Sequence, residues 1–227
     1  VSAGVLCGGL ARRKLAGRPQ EGHLSQAAAA VGQSALVRAY EEHLSPHGVT
    51  TAQILLRHAD VRARDRYLHA RSTLSTLLAM NVLPIVNEND TVVTDEIRLG
   101  DNDTLAALVA NLVDADALLI LTDQDGLMDS DPRQSADAAL IQTADVHDSS
   151  LDAIAGAGSA LGRGGMATKL SAARLAARSG TATVIANGRL PDAITQVAGG
   201  ASLGTFLQTQ RQPQSARKQW LASLLHA

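Results

Sequence analysis

The chain has 227 residues, of which 45% are hydrophobic, so it can bury one large core or two small ones. A formal net charge of −2 and an aromatic content of 2% provide neither the positive field nor the stacking side chains typical of nucleic-acid-binding proteins. No apolar run approaches the roughly 18 residues of a membrane span, no signal peptide is visible, and the lone Cys7 excludes an internal disulfide framework. We therefore expect a cytoplasmic protein that binds neither nucleic acid nor a membrane.

Helices and strands are predicted to alternate along the chain, because segments with helical apolar spacing lie between short apolar runs. In chain order, the predicted elements are a helix at 24–44, a strand at 51–56, a helix at 60–80, a strand at 83–86, a helix at 104–113, a strand at 117–122, a helix at 169–178, a strand at 181–186 and a helix at 191–197. This alternation predicts an α/β fold with three layers, in which helices cover both faces of a mostly parallel central sheet.

Local signals add detail to these elements. Gly48 is expected to end the first helix, and Asp60 is expected to cap the second. Residues 91–98 alternate polar and apolar side chains, which favours a small exposed hairpin. Residues 131–158 are predicted to be irregular, and the polar tail from residue 208 is expected to lie at the periphery.

The densest polar segment covers residues 87–103, which read NENDTVVTDEIRLGDND. It lies between a predicted buried strand and a predicted helix. Its two polar clusters, residues 87–90 and 101–103, therefore fall where open α/β sheets bind ligands. Burying so many amides and carboxylates without partners would be costly. The segment is predicted to be either solvated or part of a binding site.

A glycine-rich segment, GRGGMATK at residues 162–169, directly precedes a predicted helix. Glycines let backbone N–H groups approach phosphate oxygens, and the amino terminus of a helix adds partial positive charge. Lys169 at the start of that helix can reach a phosphoryl group in transfer, although the spacing differs from the Walker A pattern. A flexible surface loop is the alternative interpretation.

A third polar group, Thr122 and Asp123, ends the predicted strand at 117–122. A carboxylate at this position can serve a nucleotide, or a Mg²⁺ ion held mainly by phosphates and water. The seven histidines are scattered without ligand spacing, so any metal site would have to be built from carboxylates, and no protein metal ligand is predicted. Asp125 and Gly126 are typical of a turn.

Taken together, these motifs closely resemble those of the glutamate 5-kinase family, within the amino acid kinase superfamily. The resemblance extends over nearly the whole chain and depends on the order and spacing of the matching segments. They are NEND at 87–90, GDND at 100–103, TDQDGL at 122–127 and GGMATK at 164–169. The resemblance implies the amino acid kinase fold and ATP-dependent phosphorylation of the γ-carboxylate of L-glutamate. ATP and Mg²⁺ are the implied cofactors, and the implied product, γ-glutamyl phosphate, enters proline synthesis.

The resemblance also implies roles for individual residues. Ser2, Asp90 and Asn102 match positions that hold glutamate, with Asp90 suited to its α-ammonium group. Lys169 matches a catalytic lysine, and Asp103 matches the residue that orients the catalytic lysines. The positions that contact the nucleotide are matched by Thr122, Asp123, Arg163, Gly164, Gly165, Met166, Ala167, Thr168 and Lys169.

The chain departs from the family pattern in three places. Arg163 stands where a threonine is expected, a second catalytic lysine with its glycine-rich turn has no counterpart, and no C-terminal PUA domain follows. We therefore expect residues 1–227 to be an amino acid kinase domain that lacks its first strand and can be inactive by itself. By analogy with the family, a homodimer or homotetramer is expected, with proline as a feedback inhibitor.

Two alternatives stay open. Other kinases of the superfamily act on acetylglutamate, aspartate, carbamate or uridylate, but the paired NEND and GDND segments indicate a pocket for a free α-amino group. The missing lysine also motivates a different class of protein, a non-catalytic module that senses glutamate, proline or a nucleotide. The presence of both Lys169 and Asp103 favours the enzyme, because a sensor needs neither.

Overall fold

The computed structural model describes residues 1–2, 22–57, 60–61, 63–92, 102–130, 135, 137–156 and 165–210. The chain divides into two compact units, Val1–Leu105 and Ala106–Ala227. Each unit combines helices with a sheet that contains parallel strands, which confirms the α/β class. None of the helices among the described residues is long and apolar enough to cross a membrane.

The first unit combines helices with a two-stranded sheet. Its elements are α1 (Gly22–Leu44), a 3₁₀ turn (Ser45–His47), β1 (Thr50–Leu56), α2 (Arg64–Ala79) and β2 (Val82–Glu88). β1 and β2 are parallel, with Thr50 opposite Val82 at one end and Leu56 opposite Glu88 at the other. The carboxyl ends of the two strands therefore lie side by side at the same end of this sheet.

Apolar side chains hold the first unit together. α1 packs against β1, and α2 packs against β2. Ala28 and Ala29 bury the inner face of α1, while Tyr67 and Leu74 do the same for α2. Full burial of a side chain such as Leu74 contributes about 2 kcal/mol, so a few such contacts decide how each helix faces its strand.

Among the described residues, the helices and strands predicted for the first unit are confirmed, and one predicted cap is not. The helix at 24–44 is present, and Gly48, with a φ of 71°, provides the left-handed cap after the 3₁₀ turn. The expectation that Asp60 caps the second helix is wrong, because the N-cap of α2 is Ala63 and no side chain caps it. The Asp60 carboxylate accepts hydrogen bonds from Arg57 and Arg66 instead.

α3 (Asn102–Leu112) begins before the boundary between the units and continues into the second. The other elements of the second unit are β3 (Ala117–Thr122), β4 (Thr143–Asp145), α4 (Ser150–Gly156), α5 (Met166–Ala177), β5 (Ala182–Asn187), α6 (Ala193–Ala198) and β6 (Thr205–Gln208). The four strands follow the order β3-β5-β6-β4. β3 is parallel to β5 and β4 is parallel to β6, whereas β5 and β6 are antiparallel.

The core of the second unit lies between α5 and the sheet. Ile120 of β3 and Ile185 of β5 are buried against Leu170, Ala173 and other residues of α5. Ala173 is completely buried, and its small side chain lets the helix backbone approach the strands closely. Asn111 of α3 donates from Nδ2 to Leu175 O at 3.2 Å, which joins α3 to α5.

The sequence analysis missed three short elements of this unit. Residues 131–158 are not irregular throughout, since β4 and α4 form within them, and β6 was not anticipated. β4 has three residues and β6 four, too few for a periodic apolar pattern to stand out. Gln208 ends β6, so the polar tail begins inside the sheet. The predicted hairpin at 91–98 lies largely outside the described residues.

Candidate functional site

The end of β2 carries a buried pair of carboxamides. Asn87 in β2 is 2% exposed, and Gln33 from the middle of α1 is 7% exposed. Asn87 Nδ2 donates to Gln33 Oε1 at 3.1 Å, while Asn87 Oδ1 accepts from Glu88 N at 2.9 Å. The pair therefore joins α1 to the last residues of β2. Asn87 belongs to the predicted polar cluster, whereas Gln33 was not singled out as a site residue.

Ser2 and Asp90 both lie near this strand end. Ser2 is 9% exposed, its N–H donates to Val86 O at 2.9 Å, and its Oγ accepts from the Tyr40 hydroxyl at 3.4 Å. Asn89 N donates to Leu56 O at 2.9 Å, which continues the pairing of the strands beyond β2. Asp90 follows in a turn and is itself half-buried. The structure thus places Ser2 beside β2 and Asp90 just beyond its carboxyl end. Open α/β sheets bind ligands at the carboxyl ends of their strands.

Asn102 and Asp103 are the first two residues of α3, and both are half-buried. Polar and acidic groups in the first turn of a helix are stabilised by the partial positive charge of the helix amino terminus. The rest of the cluster at 101–103, Asp101, lies outside the described residues. The strand-to-helix placement expected for the two polar clusters is confirmed for their described members.

An ion cluster lies at the carboxyl end of β1. Arg57 donates to Asp60 from its backbone N at 2.9 Å and from Nε and Nη2 at 3.3 Å, and Arg66 Nη1 donates to Asp60 Oδ1 at 3.2 Å. Burial raises the pKa of Asp60, but these hydrogen bonds and the Arg57 charge outweigh burial and hold the pKa below its ordinary value. The carboxylate therefore stays ionised and closes the turn that follows β1.

In the second unit, the carboxyl ends of β3 and β5 meet. Thr122 ends β3 and lies opposite Asn187, which ends β5. Thr122 Oγ1 lies 3.4 Å from Asp123 Oδ1, and Gly188 N donates to Thr122 O at 2.8 Å. Asn187 Nδ2 donates to Asp125 Oδ1 at 2.8 Å. The sequence analysis placed Thr122 and Asp123 here but missed Asn187, whose signal is the Asn-Gly turn after the strand at 181–186.

The turn predicted at Asp125 and Gly126 is confirmed. Gly126 has a φ of 152°, and a Cβ at this position would meet Leu140 Cδ1 and Thr205 Oγ1, each at 2.7 Å. Thr205 Oγ1 also accepts a hydrogen bond from Leu127 N at 2.8 Å. Glycine is therefore required at position 126.

The amino terminus of α5 carries the last residues of the glycine-rich segment. Gly165 is the N-cap and has no side chain to cap the helix, and Met166, Ala167 and Thr168 form its first turn. Gly165 O accepts from Thr168 Oγ1 at 2.7 Å, which braces this turn. Lys169, the fourth residue of the helix, is 8% exposed. Arg163 and Gly164 lie outside the described residues.

α5 points its amino terminus toward the strand ends. Only residues 178–181 separate α5 from β5, so the carboxyl end of α5 lies at the amino end of β5. Because α5 packs along β5 and β3, its amino terminus lies toward the carboxyl ends of these strands, where Thr122 and Asn187 are found. This end of the sheet therefore combines a helix amino terminus, a buried lysine and polar turn residues. Such an arrangement suits an anionic ligand.

Comparison with known proteins identifies the class. Residues 1–187 match the Amino acid kinase family, and the chain belongs to this family. Solved structures with a similar fold include carbamate kinase from Giardia lamblia bound to AMP-PNP, with a TM-score of 0.60 and 17% identity over 91% of this chain and 82% of that one. Isopentenyl phosphate kinase from T. acidophilum, in a product complex, has a TM-score of 0.56 and 16% identity over 88% of this chain and 78% of that one. These likenesses confirm the amino acid kinase fold, a three-layer α/β sandwich.

Curated relatives narrow the comparison further. The chain is 57% identical over 225 residues to glutamate 5-kinase from Chromohalobacter salexigens, covering 99% of this chain and 60% of that protein. It is 58% identical over 226 residues to glutamate 5-kinase from Pseudomonas syringae pv. tomato, covering 99% of this chain and 61% of that protein. The chain thus spans about three fifths of the length of these relatives. The resemblance to glutamate 5-kinases predicted from the motifs is confirmed.

Proposed function

We propose that this protein is a glutamate 5-kinase, which transfers the γ-phosphoryl group of ATP to the γ-carboxylate of L-glutamate. A carboxylate oxygen forms the new bond to phosphorus, the bond from that phosphorus to the bridging oxygen of ATP breaks, and ADP and γ-glutamyl phosphate leave. The product supplies proline synthesis. The observation that carries the proposal is the identity of 57% over 99% of the chain to a curated glutamate 5-kinase. We also propose a cytoplasmic location.

We propose that glutamate binds at the end of β2 against Ser2, Asp90 and Asn102. Asp90, which is half-buried, would pair with the α-ammonium group. Ser2 and Asn102 would donate hydrogen bonds to carboxylate oxygens of the substrate. The buried bond between Asn87 and Gln33 supports this assignment, because it holds the end of β2, two residues before Asp90.

We propose that ATP binds in the second unit against Thr122, Asp123 and the glycine-rich segment that runs through Arg163 and Gly164 into α5. The residues present fit a phosphate ligand, because Gly165 leaves the helix amino terminus without a side-chain cap and Lys169 lies in the next turn. When bound, Mg²⁺ neutralises phosphate charge. The described residues contain no group of three or more His, Cys, Asp or Glu side chains that could hold a metal ion. The ion would therefore depend mainly on phosphate oxygens and water.

We propose Lys169 and Asp103 as the catalytic residues. Both reacting groups are anionic, so the protein has to position them and neutralise charge that develops on the transferring phosphoryl group. Lys169 would supply that positive charge from a site that is 8% exposed, where water screens it weakly. Asp103, in the first turn of α3, would orient the side chains of the catalytic lysines, as the resemblance implies.

A non-catalytic sensor of glutamate, proline or a nucleotide is the second candidate function. It is favoured less, because Lys169 is kept in a buried position that a binding module does not require. We further propose that the protein assembles as a homodimer or homotetramer and that proline inhibits it.

The test is a hydroxamate assay on the purified protein expressed from its complete reading frame. Hydroxylamine traps acyl phosphates, and the protein is incubated with Mg²⁺-ATP and either L-glutamate or N-acetylglutamate. We expect hydroxamate with L-glutamate only. Hydroxamate with N-acetylglutamate instead would assign a different kinase of the family. A folded protein that forms none with either substrate would favour the sensor.

A further inference from the structure

The carboxyl ends of β3 and β5 are joined by an amide side chain to which the proposed function assigns no role. Asn187 Nδ2 donates to Asp125 Oδ1 at 2.8 Å, and Asn187 Oδ1 accepts from Arg189 N at 2.9 Å. Gly188 N also donates to Thr122 O at 2.8 Å. The turn after β3 and the turn after β5 are therefore linked by one side chain and one backbone hydrogen bond.

The backbone determines which way the Asn187 amide faces. Arg189 N is a donor, so the carbonyl oxygen of the side chain has to face it, and this leaves Nδ2 directed at Asp125. The ionised carboxylate of Asp125 only accepts hydrogen bonds, so it needs a donor from its neighbour. The orientation is thus consistent at both ends of the amide, and both polar atoms are used.

Few other interactions among the described residues hold the turn after β3 in place. Asp123, Gln124 and Asp125 are all exposed, so burial contributes little to holding them. The turn nevertheless follows Thr122 directly, and Thr122 and Asp123 are the residues that we assign to the nucleotide. If an exposed turn has to be ordered before it binds a ligand, the cost of ordering it is subtracted from the binding free energy.

We propose that Asn187 is a positioning residue for the nucleotide site, which acts by holding the turn at residues 122–125 through Asp125. The inference rests on the proposed function, because it takes this turn as a nucleotide contact. Asn187 touches no reacting atom in this scheme. It preorganises the turn, so its loss weakens ATP binding and leaves glutamate binding unchanged.

Three variants test the inference. Asn187→Ala removes the bond and should raise the KM for ATP roughly 2- to 10-fold, the effect of one ordinary hydrogen bond, because solvent screens the Asp125 charge at this exposed position. Asn187→Asp should raise it further, because two carboxylates then face each other. The double variant Asn187→Asp/Asp125→Asn exchanges the donor and the acceptor, keeps an acceptor for Arg189 N, and should restore the KM for ATP to within about twofold. The KM for glutamate should stay unchanged in all three.

Asp145→Ala is the matched control. Asp145 Oδ1 accepts from His147 N at 2.8 Å, the same two-residue spacing as the bond between Asn187 and Arg189 N. Asp145 ends β4, which is antiparallel to β5. Its bond to His147 N therefore lies at the end of the sheet opposite to the carboxyl ends of β3 and β5. The control should leave both KM values unchanged. An equal rise in the KM for ATP in Asp145→Ala would overturn the inference and indicate a general loss of stability.

A second readout separates this inference from the proposed function. The shift in Tm produced by Mg²⁺-ATP is measured for each variant without glutamate. A smaller shift in Asn187→Ala, restored in the double variant, supports the inference even if no hydroxamate forms. Full retention of the shift and of the KM for ATP in Asn187→Ala overturns it. A protein that ATP does not stabilise overturns both the nucleotide site and the role of Asn187.

Discussion

The two strand-end regions hold their polar groups in different ways. At the end of β2, Asn87 is 2% exposed and bonded to Gln33, a residue 54 positions away on α1. At the ends of β3 and β5, by contrast, Asp123 and Asp125 are exposed, and the bonds that hold this turn come from the neighbouring turn at residues 187–189. The first region is ordered by the core and the second by surface hydrogen bonds.

This difference matches the ligands that we assign to each region. A small polar amino acid gains affinity and specificity when its partners are already fixed, because buried groups cannot adjust without losing their hydrogen bonds. A nucleotide is larger, and it can cover an exposed turn by itself when it binds. We therefore expect substitutions near β2 to affect both the stability of the fold and the binding of glutamate. Substitutions in the turns after β3 and β5 should weaken nucleotide binding and leave the stability of the fold unchanged.

The largest effect is expected for Lys169→Met. Loss of the positive charge at the transferring phosphoryl group should lower kcat roughly 10²- to 10³-fold, as removal of one electrostatic donor does in other enzymes. The methionine side chain keeps the apolar stem, so the 8%-exposed position should still pack. Arg178→Met, an exposed cation at the other end of the same helix, is the control and should leave kcat unchanged. A kcat within tenfold of normal for Lys169→Met would remove Lys169 from the mechanism.

Asp90→Ala and Asp123→Ala test whether the two regions serve different ligands. Asp90→Ala should raise the KM for glutamate roughly 100-fold, because it leaves the α-ammonium group without its charged partner. Asp123→Ala should raise only the KM for ATP. Steady-state kinetics with each substrate varied in turn measures both values. If both variants change the same KM, the assignment of separate regions is wrong.

Gln33→Leu and Asn87→Leu test the buried pair. Each single change leaves a buried amide without its partner and should lower the free energy of unfolding by about 2 kcal/mol. The double variant should lose less than the sum, because it removes both unpaired groups. Asp125→Ala, which removes an exposed hydrogen bond of the second region, should cost less than about 0.5 kcal/mol. Urea denaturation measures all four, and additive losses for Gln33 and Asn87 would contradict their coupling.

A small effect that depends on pH is expected for Asp60→Asn. Because the pKa of Asp60 is held below its ordinary value in the folded protein, its stabilisation is present above the unfolded pKa of about 4 and is lost as the pH falls through the folded value. Arg57 and Arg66 are 42% and 51% exposed, so solvent screening keeps the contribution below about 1 kcal/mol. The variant should be less stable than the unaltered protein at pH 7, and the difference should disappear in acid. A difference that is independent of pH would contradict the role of the charge.

Several elements could be predicted because their signals are local. The strand at 117–122 is a continuous apolar run, and the structure gives it the same bounds. The helix at 24–44 follows from its alanine-rich sequence and from Gly48 beyond its end. Thr122 and Asp123 could be placed at a strand end for the same reason, whereas the helix expected to begin at Lys169 begins at Met166. The positions of Thr122 and Asp123 depend only on where an apolar pattern starts or stops.

Other features depend on partners that are distant in the sequence. β4 and β6 are too short to be recognised alone, and they form because β4 pairs with β6 and β6 pairs with β5. Asp60 has the right residue type for a cap, but Arg57 and Arg66 supply stronger partners for its carboxylate than a helix amino terminus would.

The sequence by itself determined the α/β class, the order of the main strands and helices, and the polar segments that identify the kinase family. These properties depend on apolar periodicity and on motif spacing, which are local. Only the tertiary structure decided that Gln33 fixes Asn87 and that Asn187 reaches Asp125. Both pairs join residues more than 50 positions apart. Gln33 reaches Asn87 only after α1 has packed beside the sheet of β1 and β2, and Asn187 reaches Asp125 only after the parallel strands β3 and β5 have brought their ends together.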